Sequence, residues 1–174
     1  MKTILETERL LILEASHNDA DFILQLLNSP SWLKFIGDKG VTTKKQALTY
    51  IDESLIDSYK KNGFGLYKLC LKSSLIPVGL CGFLQRDYLN HPDIGFALLP
   101  EFEGQGLMLE ACHVLMNHAE STLKFECVMA IVLPINDKSC RLLEKIGLRN
   151  VGTITSKTGG EKLLLFSNKK SRSN

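Results

Sequence analysis

The sequence predicts an α/β (α+β) fold in which a mixed, mostly antiparallel central sheet is flanked by helices. Three observations predict it. Apolar stripes at helical spacing recur over residues 19–28, 43–62 and 106–122. Two strand-like runs, 64–71 and 76–84, are joined by Lys72-Ser73-Ser74 and read as a hairpin. A third strand, 93–99, leads through a glycine-bearing loop into a helix. The resulting order is strand, three helices, antiparallel strands, helix, strand, helix, strands, with no repeat and no linker.

Each element has a local reason. Residues 9–14 are a short apolar run and read as the first strand. Ser16, with Asp19 three residues on, caps a helix over 19–28 whose buried stripe is Ala20, Ile23, Leu26 and Leu27. Ser29-Pro30 is a cap followed by proline at the first helical position, and Gly37 stops that short helix. Thr42 or Thr43 caps the next helix, with the stripe Ala47, Leu48, Ile51, Leu55 and Tyr59, ended by Asn62-Gly63. In the hairpin, Gly79 and Gly82 weaken or bend the second strand. Asn90-His91-Pro92 turns the chain into strand 93–99, which Pro100 ends. The helix over 106–122 buries Met108, Ala111, Cys112, Leu115 and Ala119. A strand over 127–133 precedes a helix capped by Asn136 and closed by Gly147, with Leu142, Leu143 and Ile146 inside. Runs 148–154 and 161–166 close the chain as an antiparallel pair around Thr158-Gly159-Gly160.

The 174 residues amount to one domain, residues 1–167, with a basic, disordered tail over 168–174. Hydrophobic residues make up 44% and charged residues 23%, which excludes a disordered or fibrous chain. The formal charge of +2 arises in the tail, from Lys169, Lys170 and Arg172; without them the body is near neutral. No broad basic face is therefore expected, and no specific nucleic acid as partner. The apolar runs are too short to span a membrane, and Glu6 and Glu8 stand where a signal peptide needs an apolar core. Five scattered cysteines, none in a Cys-x-x-Cys pair, fit free thiols in the cytoplasm. His113 and His118 lie five apart and share no helical face, so no metal site is expected.

The most informative stretch is strand, loop, helix over 93–122. Free backbone N–H groups at a helix N-terminus attract phosphate, and Gly104 and Gly106 let the backbone approach it. A pyrophosphate is expected over residues 104–109; the other reading is a tight strand-to-helix turn without a ligand. A nucleotide-triphosphatase loop is excluded because Leu107-Met108 follows Gly106. A dinucleotide fingerprint is excluded because the position of its third glycine is Leu109 and the loop lies past mid-chain.

The run Asp93-Ile94-Gly95-Phe96-Ala97-Leu98-Leu99-Pro100-Glu101-Phe102-Glu103-Gly104-Gln105-Gly106-Leu107-Met108-Leu109-Glu110-Ala111 resembles the acetyl-CoA signature of the GNAT superfamily of N-acetyltransferases. Glu6-Thr7-Glu8-Arg9-Leu10-Leu11-Ile12-Leu13 is similar to the first strand of the branch containing the ribosomal-protein N-terminal acetyltransferases. Residues 136–148 are similar to that branch's Asn-x-x-Ser helix. The resemblance spans about residues 3–166. It implies a strand pair splayed at an acetyl-CoA cleft, with acetyl-CoA as co-substrate and no metal. It also implies acetyl transfer to a primary amine, on a protein N-terminus or a small molecule, by direct attack. A non-catalytic acyl-CoA-binding sensor or interaction module is the alternative. The superfamily places Gln or Arg where this chain has Glu101, an acid that is expected to point away from the pyrophosphate.

The resemblance also implies roles for particular residues. Backbone groups at Leu98 and Leu99 pair with the pantetheine arm and polarise the thioester carbonyl, as an oxyanion hole does. Residues Gly104, Gln105, Gly106, Leu107, Met108 and Leu109 hold the pyrophosphate. Ser139 protonates the leaving thiolate; by position alone it is equally a helix-cap hydroxyl. Many superfamily members use a tyrosine in this helix, but the last tyrosine here is Tyr88. Asn136 both caps and contacts the pantetheine arm. Asp93 is the candidate general base, or else a solvated acid after Pro92. Trp32, Phe35 and Tyr50 cover the acceptor side, or simply pack the core. Cys140 lies about 100° round the helix from Ser139 and reads as packing. Glu110 reads as structural. The state of assembly is a monomer or homodimer.

Overall fold

A computed structural model of the chain describes residues 2–157 and 159–169. Eight strands form one sheet in the order β1-β2-β3-β4-β5-β6-β8-β7. They are β1 (Thr3–Glu6), β2 (Leu10–Leu13), β3 (Leu66–Leu71), β4 (Pro77–Leu84), β5 (Asp93–Leu98), β6 (Met129–Val132), β7 (Arg149–Thr155) and β8 (Lys162–Ser167). Every neighbouring pair is antiparallel except β5 and β6. The mixed, mostly antiparallel sheet expected from the sequence is thus present, with one strand more at the N-terminus. Residues 9–14 supply the second strand, not the first, because Thr3–Glu6 folds back on it in a hairpin. Glu6 and Glu8 obscured that strand in the hydrophobic pattern.

Helices cover both faces. On one lie α5 (Leu107–Ser121) and α6 (Asp137–Lys145). The expected α5 stripe, Met108, Ala111, Cys112, Leu115 and Ala119, is buried against Leu10, Ile12, Leu69 and Phe83. On the other face lie α1 (Ala20–Leu27), α2 (Pro30–Phe35), α3 (Lys44–Tyr50) and α4 (Asp57–Asn62). Their apolar side chains meet Leu80 and Leu99. Coverage on both faces explains why β3 and β4 are buried along nearly their whole length and do not alternate.

Local deviations have physical causes. The helix expected over 43–62 is interrupted by a π-helical turn at Ile51–Ile56. Ala47, Ile51 and Leu55 recur every four residues and are all fully buried. A four-residue repeat overshoots the 3.6-residue turn by about 40° per step, and widening the turn reduces that drift. Thr43 closes its capping box with Gln46 as expected. Ser16 and Asp19 also form a capping box, but it opens a 3₁₀ turn at His17–Asp19, with α1 following. Asp19 has a further partner no local pattern announced: Lys68 of β3, with which it forms a buried ion pair.

β4 runs unbroken through Gly79, with an irregularity in its register against β3 at the neighbouring Val78. A Cβ on Gly79 would lie 2.2 Å from the Ala97 carbonyl oxygen, so glycine permits the close β4–β5 approach. Past residue 167 the described chain continues through Asn168 and Lys169. Asn168 exchanges two bonds with Val128: its N–H donates to the Val128 carbonyl at 3.1 Å, and its Oδ1 accepts from the Val128 N–H at 2.7 Å. Lys169 N–H donates to Ser167 Oγ at 3.1 Å. Lys170 and Arg172 of the expected tail, and Thr158 of the expected turn, lie outside the described residues. Among the described residues no helix is long and apolar enough to cross a membrane.

Candidate active site

The site lies where β5 and β6 part. The two parallel strands share one register pair, Asp93 with Met129, and Met129 N–H donates to the Pro92 carbonyl at 2.9 Å. Beyond that point β5 pairs only with β4. Leu99 N–H donates to the Val78 carbonyl at 2.8 Å, so the Val78–Leu99 pair is hydrogen-bonded and the Gly79–Leu98 pair beside it is not. The main-chain groups of Leu98 and Phe96 therefore face the gap toward β6. This refines the pairing implied for Leu98 and Leu99. Leu99 is buried, its N–H is given to Val78 and its carbonyl accepts from Phe102 N–H at 3.0 Å, so it has no main-chain group to offer. Leu98 has.

The β5–α5 connection supplies the next part. Gly104 and Gly106 both have φ of +76°, a left-handed conformation that glycine adopts without strain. A Cβ on Gly104 would meet nothing within 4 Å, so the surface there is open. The α5 ladder begins with Glu110 N–H donating to the Gly106 carbonyl at 3.1 Å, which leaves the Leu107, Met108 and Leu109 amides without main-chain acceptors. The Leu107 and Met108 side chains pack into the core. The Gln105 side chain donates to the Glu101 carbonyl at 3.0 Å. Glu101 itself is exposed.

A clamp that the sequence did not announce holds this loop. Glu110 Oε1 accepts from Arg9 N–H at 2.9 Å and from the Thr7 hydroxyl. Glu110 Oε2 accepts from Arg9 Nε at 2.7 Å, and Arg9 Nη1 donates to the Gln105 carbonyl at 3.0 Å. Partial burial acts against the Glu110 charge, but these donors outweigh it and hold its pKa below the ordinary glutamate value. Glu110 is structural, as expected, and its partner is the N-terminal segment.

Two cavities meet at the gap. The smaller, about 180 Å³, runs from Gly104 and Met108 past Leu98 to Asn136 and Ser139. The larger, about 840 Å³, runs from Asn136 and Ser139 to Tyr50, Arg86 and Asp93. Ser139, Asn136, Trp32, Phe35 and Phe96 line both. Ser139 thus sits at the junction. Asn136 Oδ1 accepts the Ser139 N–H at 3.2 Å, which caps α6 and leaves the amide Nδ2 of Asn136 without a partner among the described residues. The Ser139 hydroxyl has no hydrogen-bond partner among the described residues. Cys140, next to it, packs against the core.

At the far end, Asp93 is almost completely buried, and Arg86 Nε donates to both its oxygens at 3.0 Å. Burial raises the Asp93 pKa, and Arg86 opposes that rise. Burial acts against the Arg86 charge, but Asp93 more than compensates and keeps its pKa above the ordinary value. Asp93 is therefore not a solvated turn acid. Burial also pushes the Tyr50 hydroxyl up to about 12, against the pull of Arg86. Trp32 is buried and at the same time walls both cavities. Among the cavity residues that sequence reasoning missed are Arg86 and Lys39, since isolated cations in loops carry no pattern.

A family model described as an acetyltransferase (GNAT) domain matches residues 9–149, most of the chain. The chain belongs to the GNAT acetyltransferase family. Among curated relatives of this GNAT protein, an uncharacterized N-acetyltransferase of Bacillus subtilis, YoaA, is 24% identical over 156 residues, covering 88% of this chain and 87% of its own. Among solved structures, a GNAT-family acetyltransferase of Bordetella pertussis superposes with a TM-score of 0.78 at 24% identity, covering 95% of this chain and 99% of its own. The ribosomal L7/L12 α-N-protein acetyltransferase RimL, solved with coenzyme A, superposes with a TM-score of 0.80 at 16% identity, covering 97% of this chain and 100% of its own. The likeness in fold thus reaches the ribosomal-protein branch that residues 6–13 and 136–148 resemble.

Proposed function

We propose that this GNAT protein transfers acetyl from acetyl-CoA to a primary amine, on a protein N-terminus or a small molecule, by direct attack. The observation that carries the reading is the meeting of two cavities at Ser139, one reaching the α5 N-terminus and the other reaching Asp93. The loop fits a pyrophosphate: open space over Gly104, and the amides of residues 107–109 free. The Leu98 N–H, facing the strand gap, polarises the thioester carbonyl. Asn136 Nδ2 steadies the pantetheine arm.

The amine nitrogen attacks the acetyl carbonyl carbon from the larger cavity. The carbon–sulfur bond breaks, and the sulfur takes a proton from the Ser139 hydroxyl, which regains one from water as it does so; Ser139 lies in the first turn of α6, where the helix dipole favours a thiolate. The amine's proton passes through water to Asp93, whose raised pKa suits a base. A free N-terminal amine, with a pKa of about 8, needs little such help. Trp32, Phe35 and Tyr50 bound the space for the acceptor.

Release of free thiol from acetyl-CoA, measured against a panel of amines and peptides, tests the reading. Ser139→Ala should lower kcat by about 100-fold or more, the usual contribution of a positioned acid, with the Kd for CoA unchanged. A wild-type rate in that variant removes the acid role. CoA binding without thiol release across the panel marks a binding module instead of an enzyme.

A further inference from the structure

We propose that the acceptor is a small amine that also carries a carboxylate or phosphate, received in the larger cavity by Lys39, Arg86 and Tyr50. The inference rests on the acetyltransferase reading for what happens to the amine, but the anion site stands on its own geometry.

Lys39 enters the cavity from the α2–α3 connection and Arg86 from the β4–β5 connection. Among the described residues Lys39 makes no ion pair and no hydrogen bond; the charge that acts on it is that of Arg86, another cation. Desolvation and Arg86 together depress its pKa. Lys39 is exposed at the cavity mouth and Arg86 is paired through Nε with Asp93, so an anion in the cavity would meet the free ammonium of Lys39 and the remaining donors of Arg86. Arg86 has the geometry for it. Its Nε serves Asp93 and its Nη1 donates to the Tyr88 hydroxyl at 3.3 Å, which leaves Nη2 without a partner among the described residues. The Tyr50 hydroxyl, kept protonated by burial, is a third donor in the same cavity without a partner among the described residues.

The cavity lining holds three acids, Asp93, Asp38 and Glu161, against the cations Lys34, Lys39 and Arg86, so it is the free donors and not a net positive charge that would receive an anion. Asp93 is engaged by Arg86, and Asp38 is exposed with Oδ1 taking the Gly40 N–H at 2.7 Å. Glu161 lines the cavity from the β7–β8 connection. That connection also limits the size of the acceptor. Lys157 pairs with Asp87 and lies 5.4 Å from the Tyr88 ring, which latches the connection to the β4–β5 segment beside Arg86. A space of about 840 Å³ bounded in this way suits a metabolite-sized amine.

The test uses matched pairs that differ only in the anion: β-alanine with β-alaninamide, and phosphoethanolamine with ethanolamine. Calorimetry on the full chain saturated with CoA gives Kd, and thiol release from acetyl-CoA gives kcat/KM. The anionic member should bind about 10- to 100-fold more tightly, the worth of a charge-assisted hydrogen bond, and the better pair identifies carboxylate or phosphate. Lys39→Met should bring the two members toward parity, and Lys39→Arg should keep them apart. Equal Kd within both pairs, or tighter binding of an uncharged tripeptide amide, overturns the proposal. Anion preference in binding with no thiol release disproves the transfer reading and leaves the anion site intact; thiol release without preference does the reverse.

Discussion

Replacing Glu110 with Gln perturbs the loop without touching any group placed against substrate. The side chain keeps its size and one carbonyl oxygen, so it can still accept from Thr7 and the Arg9 N–H. It loses the ion pair to the Arg9 guanidinium, at 2.6 Å, and turns an amide toward Arg9 Nε. The Arg9 side chain is nearly half exposed, which discounts the pair to about 1–2 kcal/mol of stability. The released guanidinium no longer holds the Gln105 carbonyl, a bond of 3.0 Å beside Gly106. Losing that one charge-assisted bond costs the loop up to about 1.4 kcal/mol, or a tenfold weaker Kd for CoA. Calorimetric titration with CoA reads the second effect and urea unfolding the first. There is also a pH signature. The folded-state pKa of Glu110 is below its ordinary 4.5, so its stabilisation is complete above that value and is lost as pH falls through the lower folded value. Glu110→Gln should therefore flatten the acid limb of the stability curve. An unchanged Kd for CoA in a destabilised variant would refute the clamp's part in shaping the loop.

Two further substitutions probe other parts. Gly104→Asp should abolish CoA binding by calorimetry, while Gly104→Ala, which meets no neighbour and bears only the left-handed strain of about 1–2 kcal/mol, should bind measurably; equal loss in both would show that strain and not charge is at fault. Lys68→Met strands Asp19 in the interior and should cost about 3–5 kcal/mol in urea unfolding; a loss below 1 kcal/mol would mean water reaches the carboxylate.

What the sequence disclosed and what it hid follow from the range of the forces involved. The stripes of α1 and α5 were legible because one helix face buries its apolar residues at a fixed spacing. The Thr43 and Asn136 caps were legible because the donors and acceptors lie three residues apart. Gly104, Gly106 and Ser139 came from motif and resemblance together, and the cleft does bring Gly104 and Ser139 to one cavity. The π turn was hidden because it answers to packing across the whole helical segment. The pairs Arg9–Glu110, Lys68–Asp19 and Arg86–Asp93 were hidden for a different reason. Two of them join residues far apart in the chain, and none leaves a periodic trace. The direction of the Leu99 N–H was hidden because strand alternation, which decides whether an N–H faces β4 or the gap, depends on a register that only pairing reveals.

The single rung between β5 and β6 makes the sheet a hinged object. Five strands stand on one side of that rung and three on the other, and the unsatisfied main-chain edge of β5 beyond it is as long as a short strand. An extended amide-bearing molecule lying along that edge would serve as a surrogate strand, stitching the two lobes together where the polypeptide does not. Donor binding should then slow hydrogen exchange well away from its contacts, in β6 and β8 as well as at the loop, because it mends the seam of the whole scaffold.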